Sequence, residues 1–429
     1  VTSTAGIPII RPDDMAAIRA AAPSHRGDAL SARQRLVYVL VLGALTALGP
    51  FTIDLYLPAF PMLETELGVS ASAVQLTLTG TMIGFGLGQL IVGPWSDKVG
   101  RKLPLILATL VHILACVGAA MASDIFVLGG FRLLQGFGAA AGGVVAMAMV
   151  RDLFGGKPLV KMLSRLALVN GLAPVLAPVI GSQLLLVTDW RGIFWVLAAY
   201  GAVVVLAVWL WIVETRPKAD RALSAHSTVG ARFKAVLSDR VFVGTAIVGG
   251  MVFTGLFAYL SASTFLFQQV HGFTPQEYGL LFGANSIGVI IGVQTSSRLI
   301  RTVIGPQWIL AITTAMMAFL GIAIMVLDAT GAGLWGTIIP LWFFITMCGF
   351  SFPCVQVIAL NGHGQEAGTA ASLLGATNFG LAGIISPLIG MLGVSTALPM
   401  GAVMTVTSLI AIAALWWIVR PRTVPALSA

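Results

Sequence analysis

Residues 93–102 read G-P-W-S-D-K-V-G-R-K, a short charged segment between two long apolar runs. Gly93 permits close helix approach, and Gly100 permits a tight turn that a Cβ would strain. Asp97 can meet the partial positive charge of a helix N-terminus. Outward from this loop, apolar stretches of spanning length, about 17–25 residues, recur in both directions. They cover 36–60, 72–95, 103–122, 125–150, 163–187, 190–213, 241–268, 275–297, 305–327, 333–358, 367–391 and 397–419. The faintest breaks fall at Thr188–Arg191 and Gly393–Pro399. Of 429 residues, 58% are hydrophobic and only 9% charged, against about 25% charged in soluble domains. Lipid, not water, is therefore the main solvent. The 49 glycines suit helices that must associate by packing, since lipid tails are as apolar as leucine. The expected fold is an all-α membrane protein of twelve transmembrane helices.

The net charge of +8 does not signal nucleic-acid binding, because the basic residues form no stripe with interleaved aromatics. They sort by loop instead. With the N-terminus inside and the spans alternating, every lysine and arginine except Arg132 and Arg191 falls on one side, the pattern of cytoplasmic loops. That bias places both termini in the cytoplasm. Residues 1–35, polar and mixed, read as a flexible cytoplasmic tail with no cleavable signal, and 420–429 as a second tail. Cys116, Cys348 and Cys354 lie inside apolar runs without zinc spacing and read as small core residues. Five scattered histidines give no basis for a metal site, and no cofactor is implied.

The stretch 214–240, with Arg216, Lys218, Arg221, Arg232, Lys234 and Arg240, reads as a solvated cytoplasmic linker. It divides the chain into six-helix bundles at 36–213 and 241–419. An internal echo supports two halves: G-L-A-P-V-L-A-P-V-I-G at 171–181 and G-L-A-G-I-I-S-P-L-I-G at 380–390 share six positions at one offset. They fall on the fifth and eleventh spans, matching places in parallel repeats.

Two charges sit inside apolar runs, where an ionised residue costs roughly 2.5–3.5 kcal/mol on insertion scales and usually marks a pathway. Asp54 lies about 10 Å below Pro61, and Arg132 about 12 Å past Asp124, at 1.5 Å per residue. Both belong to the outer half of the bilayer at similar depth. One reading makes them an ion pair that fixes helix packing. The other makes Asp54 the group that takes and releases a coupling proton, tuned by Arg132 because a nearby cation favours the carboxylate. In that reading a transported molecule and the proton compete for one site. Among the other polar residues in spans, His112 reads as packing rather than a proton relay. Phe51, Tyr56, Phe257, Tyr259 and Phe350 are aromatics able to line an apolar pocket.

The 93–102 pattern resembles the loop 2–3 signature of the major facilitator superfamily, with Gly93, Asp97, Gly100, Arg101 and Lys102 in place. R-L-L-Q-G-F-G-A-A at 132–140, with Arg132, Gln135, Gly136 and Gly138, is similar to that family's fourth-helix motif. Residues 171–181, with Gly171, Pro174, Pro178 and Gly181, resemble its fifth-helix antiporter motif, although Pro178 stands where a glycine is usual. D-L-Y-L-P-A-F-P at 54–61, T-G-L-F-A-Y-L-S-A-S in the seventh span and A-G-T-A-A-S-L-L-G in the eleventh resemble the Bcr/CflA group of drug:proton antiporters. The resemblance implies two pseudo-symmetric halves that rock about a midplane site. It implies contact between Asp97 and the start of the eleventh helix near Ala367–Ser372, locking the outward-open state. It also implies helices one and four as neighbours, and a cavity including Phe51, Tyr56, Gln135, Phe257, Tyr259 and Phe350. The expected function is proton-driven export of small amphipathic drugs across the inner membrane by a functional monomer. The alternative is export of a metabolite such as an amino acid, sugar or natural product. No Walker motif points to ATP, and a lone embedded acid does not make an enzyme.

Overall fold

The computed structural model describes residue 27 and residues 30–216, 229–302, 304–361, 363, 367–393 and 395–424. Most of the 1–35 tail, the middle of the 214–240 linker and the last residues of the 420–429 tail lie outside the described residues. Eleven of the described helical segments are long and apolar enough to cross a membrane. They are Ala32–Leu67, Ala71–Val99, Lys102–Ala120, Ile125–Leu153, Lys161–Leu184, Trp190–Trp211, Arg240–Val270, Pro275–Ile300, Pro306–Ala329, Gly333–Asn361 and Leu398–Thr423. A further helix, Ala367–Leu392, occupies the place of the eleventh span, and the segments are numbered one to twelve accordingly. The loops bearing the basic residues of the sequence reading, the 93–102 loop included and that of Arg191 excepted, define the basic end of the bundle; the opposite end is called the far end.

Several boundaries move for local reasons. The first helix begins at Ala32, not 36, because Ser31 and Gln34 form a reciprocal cap: Gln34 N–H donates to Ser31 Oγ at 3.2 Å and Ser31 N–H to Gln34 Oε1 at 2.9 Å. Such a box satisfies donors that a helix start leaves open. The faint break at 188–191 is set by Asp189, whose carboxylate accepts from the N–H groups of Arg191 and Gly192. Within the linker, Val229–Leu237 is helical.

The spans pair by a repeated rule. In the first half, one packs on four, five and six; two on four; three on four and six. The same pairings recur with every number raised by six, and the two halves meet where span two packs on eleven and five on eight. The crossing of spans two and four depends on absent side chains. A Cβ at Gly84 would lie 2.0 Å from the Leu133 carbonyl oxygen, and one at Gly136 would lie 2.1 Å from that of Thr81. Backbones this close gain dispersion contacts that larger side chains would forbid.

The far end is closed across the two halves. Gln75 Nε2 donates to the Ser261 carbonyl (3.0 Å), Gln268 Nε2 to Pro58 (3.1 Å), Gln276 Nε2 to Ser182 (2.8 Å), and Gln269 Nε2 to the Glu64 carboxylate (2.6 Å).

Candidate coupling site and gating loop

The first span is a regular helix from Ala32 to Asp54, then a turn, a 3-10 segment at Leu57–Ala59 and a short helix at Phe60–Leu67. Pro58 explains the interruption: lacking an N–H, it cannot bond the carbonyl four residues back, that of Asp54. Asp54 thus sits where the regular ladder ends. It is the only buried carboxylate among the described residues.

Arg132 is fully buried on the fourth span and serves the same break. Its Nη1 donates to the Thr52 carbonyl at 2.9 Å and to Gln135 Oε1 at 2.5 Å. Its guanidinium lies over the rings of Tyr56 (4.6 Å) and Phe194 (5.6 Å). The direct ion pair with Asp54, one of the two readings of these charges, is not formed. A cation at a helix C-terminus meets the negative end of the dipole, so Arg132 holds the backbone two residues before Asp54 rather than its carboxylate. Behind it, Gln135 Nε2 donates to Cys116 Sγ (2.9 Å), and His112 pairs through Nδ1 with the Gln135 carbonyl (3.1 Å). His112 is therefore the outer member of a hydrogen-bond chain rather than plain packing.

From the other half, the Tyr259 and Tyr278 hydroxyls lie within electrostatic reach of Asp54. Asn285 Nδ2 donates to Tyr259 Oη at 3.1 Å, and Ser263 Oγ bonds Tyr278 Oη at 3.0 Å. The Asn285 Oδ1 and Gln75 Oε1 atoms are buried without a partner.

The six expected cavity residues are not gathered on one wall. Phe51 packs on Tyr200, ring centroids 5.7 Å apart. Tyr56 packs on Phe60 and Phe194 (5.0 and 5.1 Å) and pairs with Thr77. Gln135 is enclosed within the first half. Phe257 packs on Phe253 (4.8 Å) and Tyr259 on Phe282 (5.5 Å), all within the second half, while the Phe350 backbone lies at the packed crossing with Gly292 of span eight. Unforeseen is a ring cluster that crosses the seam. Phe85 of span two stacks on Phe379 of span eleven (5.0 Å, 19°), and Phe253 meets Phe379, Phe257 and Phe352 at 5.0, 4.8 and 6.2 Å.

At the basic end, Gly100 has φ +107°, which a side chain would resist. Arg101 is the hub: Nη1 meets Asp97 (2.6 Å) and Ser96 Oγ (2.9 Å), and Nε meets Asp152 (2.8 Å). Burial alone would lower the Arg101 pKa, but Asp152 and Asp97 outweigh it and raise it. Arg216 also reaches Asp97 at 3.3 Å. Glu214 accepts from the N–H groups of Arg101 (2.9 Å) and Lys102 (3.1 Å), so the end of the sixth span caps the third. Lys102 Nζ donates to the Trp209 carbonyl. The resemblance implied a partner for Asp97 at the start of the eleventh helix. The structure gives its carboxylate Arg101 of its own half and Arg216 at the start of the linker, while Gly93 lies against Ser372, whose Oγ would be 3.5 Å from a Cβ there.

On the fifth span, Pro174 and Pro178 lie inside the helix. A Cβ at Gly181 would meet the Leu55 carbonyl oxygen at 2.1 Å, so this glycine lets the fifth span press on the broken first span. Gly171 has only Ile290 at 4.0 Å. In the matching stretch of span eleven, the side chains at 385–387 and 390 lie outside the described residues.

Twelve spans, related by a shift of six and meeting at two seams around a buried acid, define a membrane transporter rather than an enzyme. The chain belongs to the major facilitator superfamily, whose family model matches residues 40–387. It is 36% identical over 394 residues to an uncharacterized MFS-type transporter, YdgK, of Bacillus subtilis (strain 168), covering 91% of this chain and 97% of that one. It is 31% identical over 371 residues to a bicyclomycin resistance protein homolog of Haemophilus influenzae, covering 86% and 92%. It is 29% identical over 335 residues to the multidrug resistance protein MdtL of Escherichia fergusonii, covering 77% and 83%. These relatives are in line with the Bcr/CflA resemblance and with a multi-pass protein of the bacterial inner membrane. A D-xylose–proton symporter crystal structure shares the fold at TM-score 0.72 and 14% identity, covering 91% of this chain and 99% of its own.

Proposed function

We propose that this protein exports small amphipathic drugs in exchange for protons, working as a monomer with both termini in the cytoplasm. The observation that carries this reading is Asp54: the single buried carboxylate among the described residues, at a helix break, within electrostatic reach of a hydroxyl of the opposite half. A buried carboxylate is stable neutral and costly charged, so gain and loss of its proton changes what the seam tolerates. Arg132 positions Asp54 through the Thr52 carbonyl. Opening at the basic end loads cargo; opening at the far end breaks the four glutamine bonds and releases it. The names of the bicyclomycin and multidrug resistance relatives support drugs as cargo.

The test is proteoliposome transport under an imposed pH gradient with a broad compound set. Asp54→Asn is expected to insert normally and to lose proton-driven export. Drug-driven proton release retained by that variant would refute the assignment.

A further inference from the structure

We propose that a hollow between spans nine and ten seats one phospholipid of the far-end leaflet, and that it selects a lipid with an ammonium headgroup, such as phosphatidylethanolamine. The site lies on the outer wall of the second half and stands whatever cargo the protein moves.

Leu320, Ala323 and Leu327 of span nine and Trp335, Ile339 and Phe343 of span ten recur at helical spacing and line a hollow of about 400 Å³. It forms where short side chains share one depth. Ala323 lies about 9 Å from the far end of its helix and Pro340, also in the lining, about 10.5 Å from the far end of its own. Nearer the far end the two spans meet, since a Cβ at Gly336 would lie 3.2 Å from the Leu327 Cβ. At the inner end the Phe343 ring is braced edge-on by Trp342 (5.1 Å, 87°), and the Trp342 indole N–H is held by the Ala284 carbonyl (3.1 Å).

Trp335, Ile339 and Phe343 are exposed, so the hollow opens outward, to the bilayer. Its side chains are apolar but for the Trp335 indole N–H, and water needs several polar partners to occupy a hollow. Left empty, the walls forfeit dispersion contacts. The two lining stripes run about 10.5 and 12 Å along their helices, close to one leaflet's share of a hydrocarbon core about 30 Å thick. Trp335, of a residue type that favours the membrane–water boundary, stands at the rim, so an acyl chain entering at headgroup level would follow the hollow inward. Asp328, next to Leu327 at the end of span nine, supplies the selectivity. It is half-buried, and among the described residues its carboxylate has no ion pair or hydrogen bond. A carboxylate there also meets the negative end of the helix dipole. Arg191, the basic residue in a far-end loop, is taken by Glu66 and Asp189. A lipid ammonium group would supply the missing cation while its chain fills the hollow; an anionic headgroup would be repelled.

The experiment places the full chain in vesicles of equal phosphatidylethanolamine and phosphatidylglycerol, doped with one or the other lipid bearing a photoactivatable diazirine on its acyl chain, and maps the labelled peptides. The reference is the exposed apolar stripe Leu107, Leu110 and Leu114 of span three. Peptides containing 320–327 and 335–343 are expected to label at least about threefold above that stripe, and with the ethanolamine probe about threefold above the glycerol probe. Ala323→Phe, which fills the hollow, should bring labelling down to the reference. Asp328→Asn should label equally with both probes, and Asp328→Lys should reverse the preference, a result that a misfolded chain would not give. Wild-type labelling no higher than the reference, undiminished labelling in Ala323→Phe, or a headgroup preference indifferent to Asp328→Lys would each overturn the proposal. So would a disulfide-linked dimer formed through Ile339→Cys, which would give the hollow to a second copy of the chain.

Discussion

Replacing Gly136 by alanine adds one methyl group at one of the two tightest points of the span two–span four crossing. The added Cβ would lie 2.1 Å from the Thr81 oxygen, 2.9 Å from the Thr81 carbonyl carbon and 3.1 Å from Phe85 N. An ordinary carbon–oxygen contact is longer by more than about 1 Å. All three obstacles are backbone atoms, so no side chain can swing aside, and span two must retreat. Overpacking of this kind costs typically 1–3 kcal/mol, and the rigid neighbours place Gly136→Ala near the top of that range. The control lies seven residues along the same helix: Gly143 has nothing within 4 Å of its would-be Cβ. There alanine should be neutral, or stabilising by up to about 1 kcal/mol through helix propensity. The three cysteines are free and buried, so a thiol-reactive dye reports unfolding directly in matched detergent. Gly136→Ala is expected to melt several degrees below both the wild type and Gly143→Ala. Coincident melting curves for the two alanine variants would refute the close-approach reasoning.

Removing the Arg132 side chain strands the Thr52 carbonyl and the Gln135 amide, and Arg132→Ala should cost about 2–4 kcal/mol. Arg132→Lys keeps a charge but loses the planar fork and should recover less than half of that, read by the same dye melts; full rescue by lysine would contradict the geometry. Gln268→Ala with Gln276→Ala removes two of the bonds that close the far end, each worth about 0.5–1.5 kcal/mol. Labelling of Ser182→Cys by an impermeant maleimide should then quicken at least about fivefold, and an unchanged rate would show that those bonds do not hold the seam.

The architecture was legible because lipid imposes it: apolar runs, sorted charges and the 93–102 loop can be read without knowing which helices touch. Asp54 stood out for the same reason, as an acid in an oily run. Its surroundings did not. Arg132 binds a backbone carbonyl, and every residue has one, so no letter in the sequence points to Thr52. The missing signal was available in Pro58, four residues past Asp54, which removes a ladder bond and ends the regular helix. Arg216 and Glu214 looked like solvated linker charges because their partners, Asp97 and the Arg101 and Lys102 amides, lie more than a hundred residues away. The phenylalanine cluster was invisible for a related reason: its rings come from four spans, and 22 phenylalanines in apolar runs give no cue to which ones cross the seam.

The interruption at Leu55–Tyr56 makes the first span two rods joined by a knuckle. Beyond it, Glu64 reaches Gln269 of the other half, while Glu66 takes the Trp190 indole N–H at 2.9 Å and pairs with Arg191 of its own half. The outer rod is therefore tethered both ways, about 12 Å long at 1.5 Å per residue, with Asp54 at its pivot. A small swing at that pivot trades one tether against the other without bending a continuous helix; under the proposed proton coupling, a single hydrogen ion would act with the leverage of a whole rod.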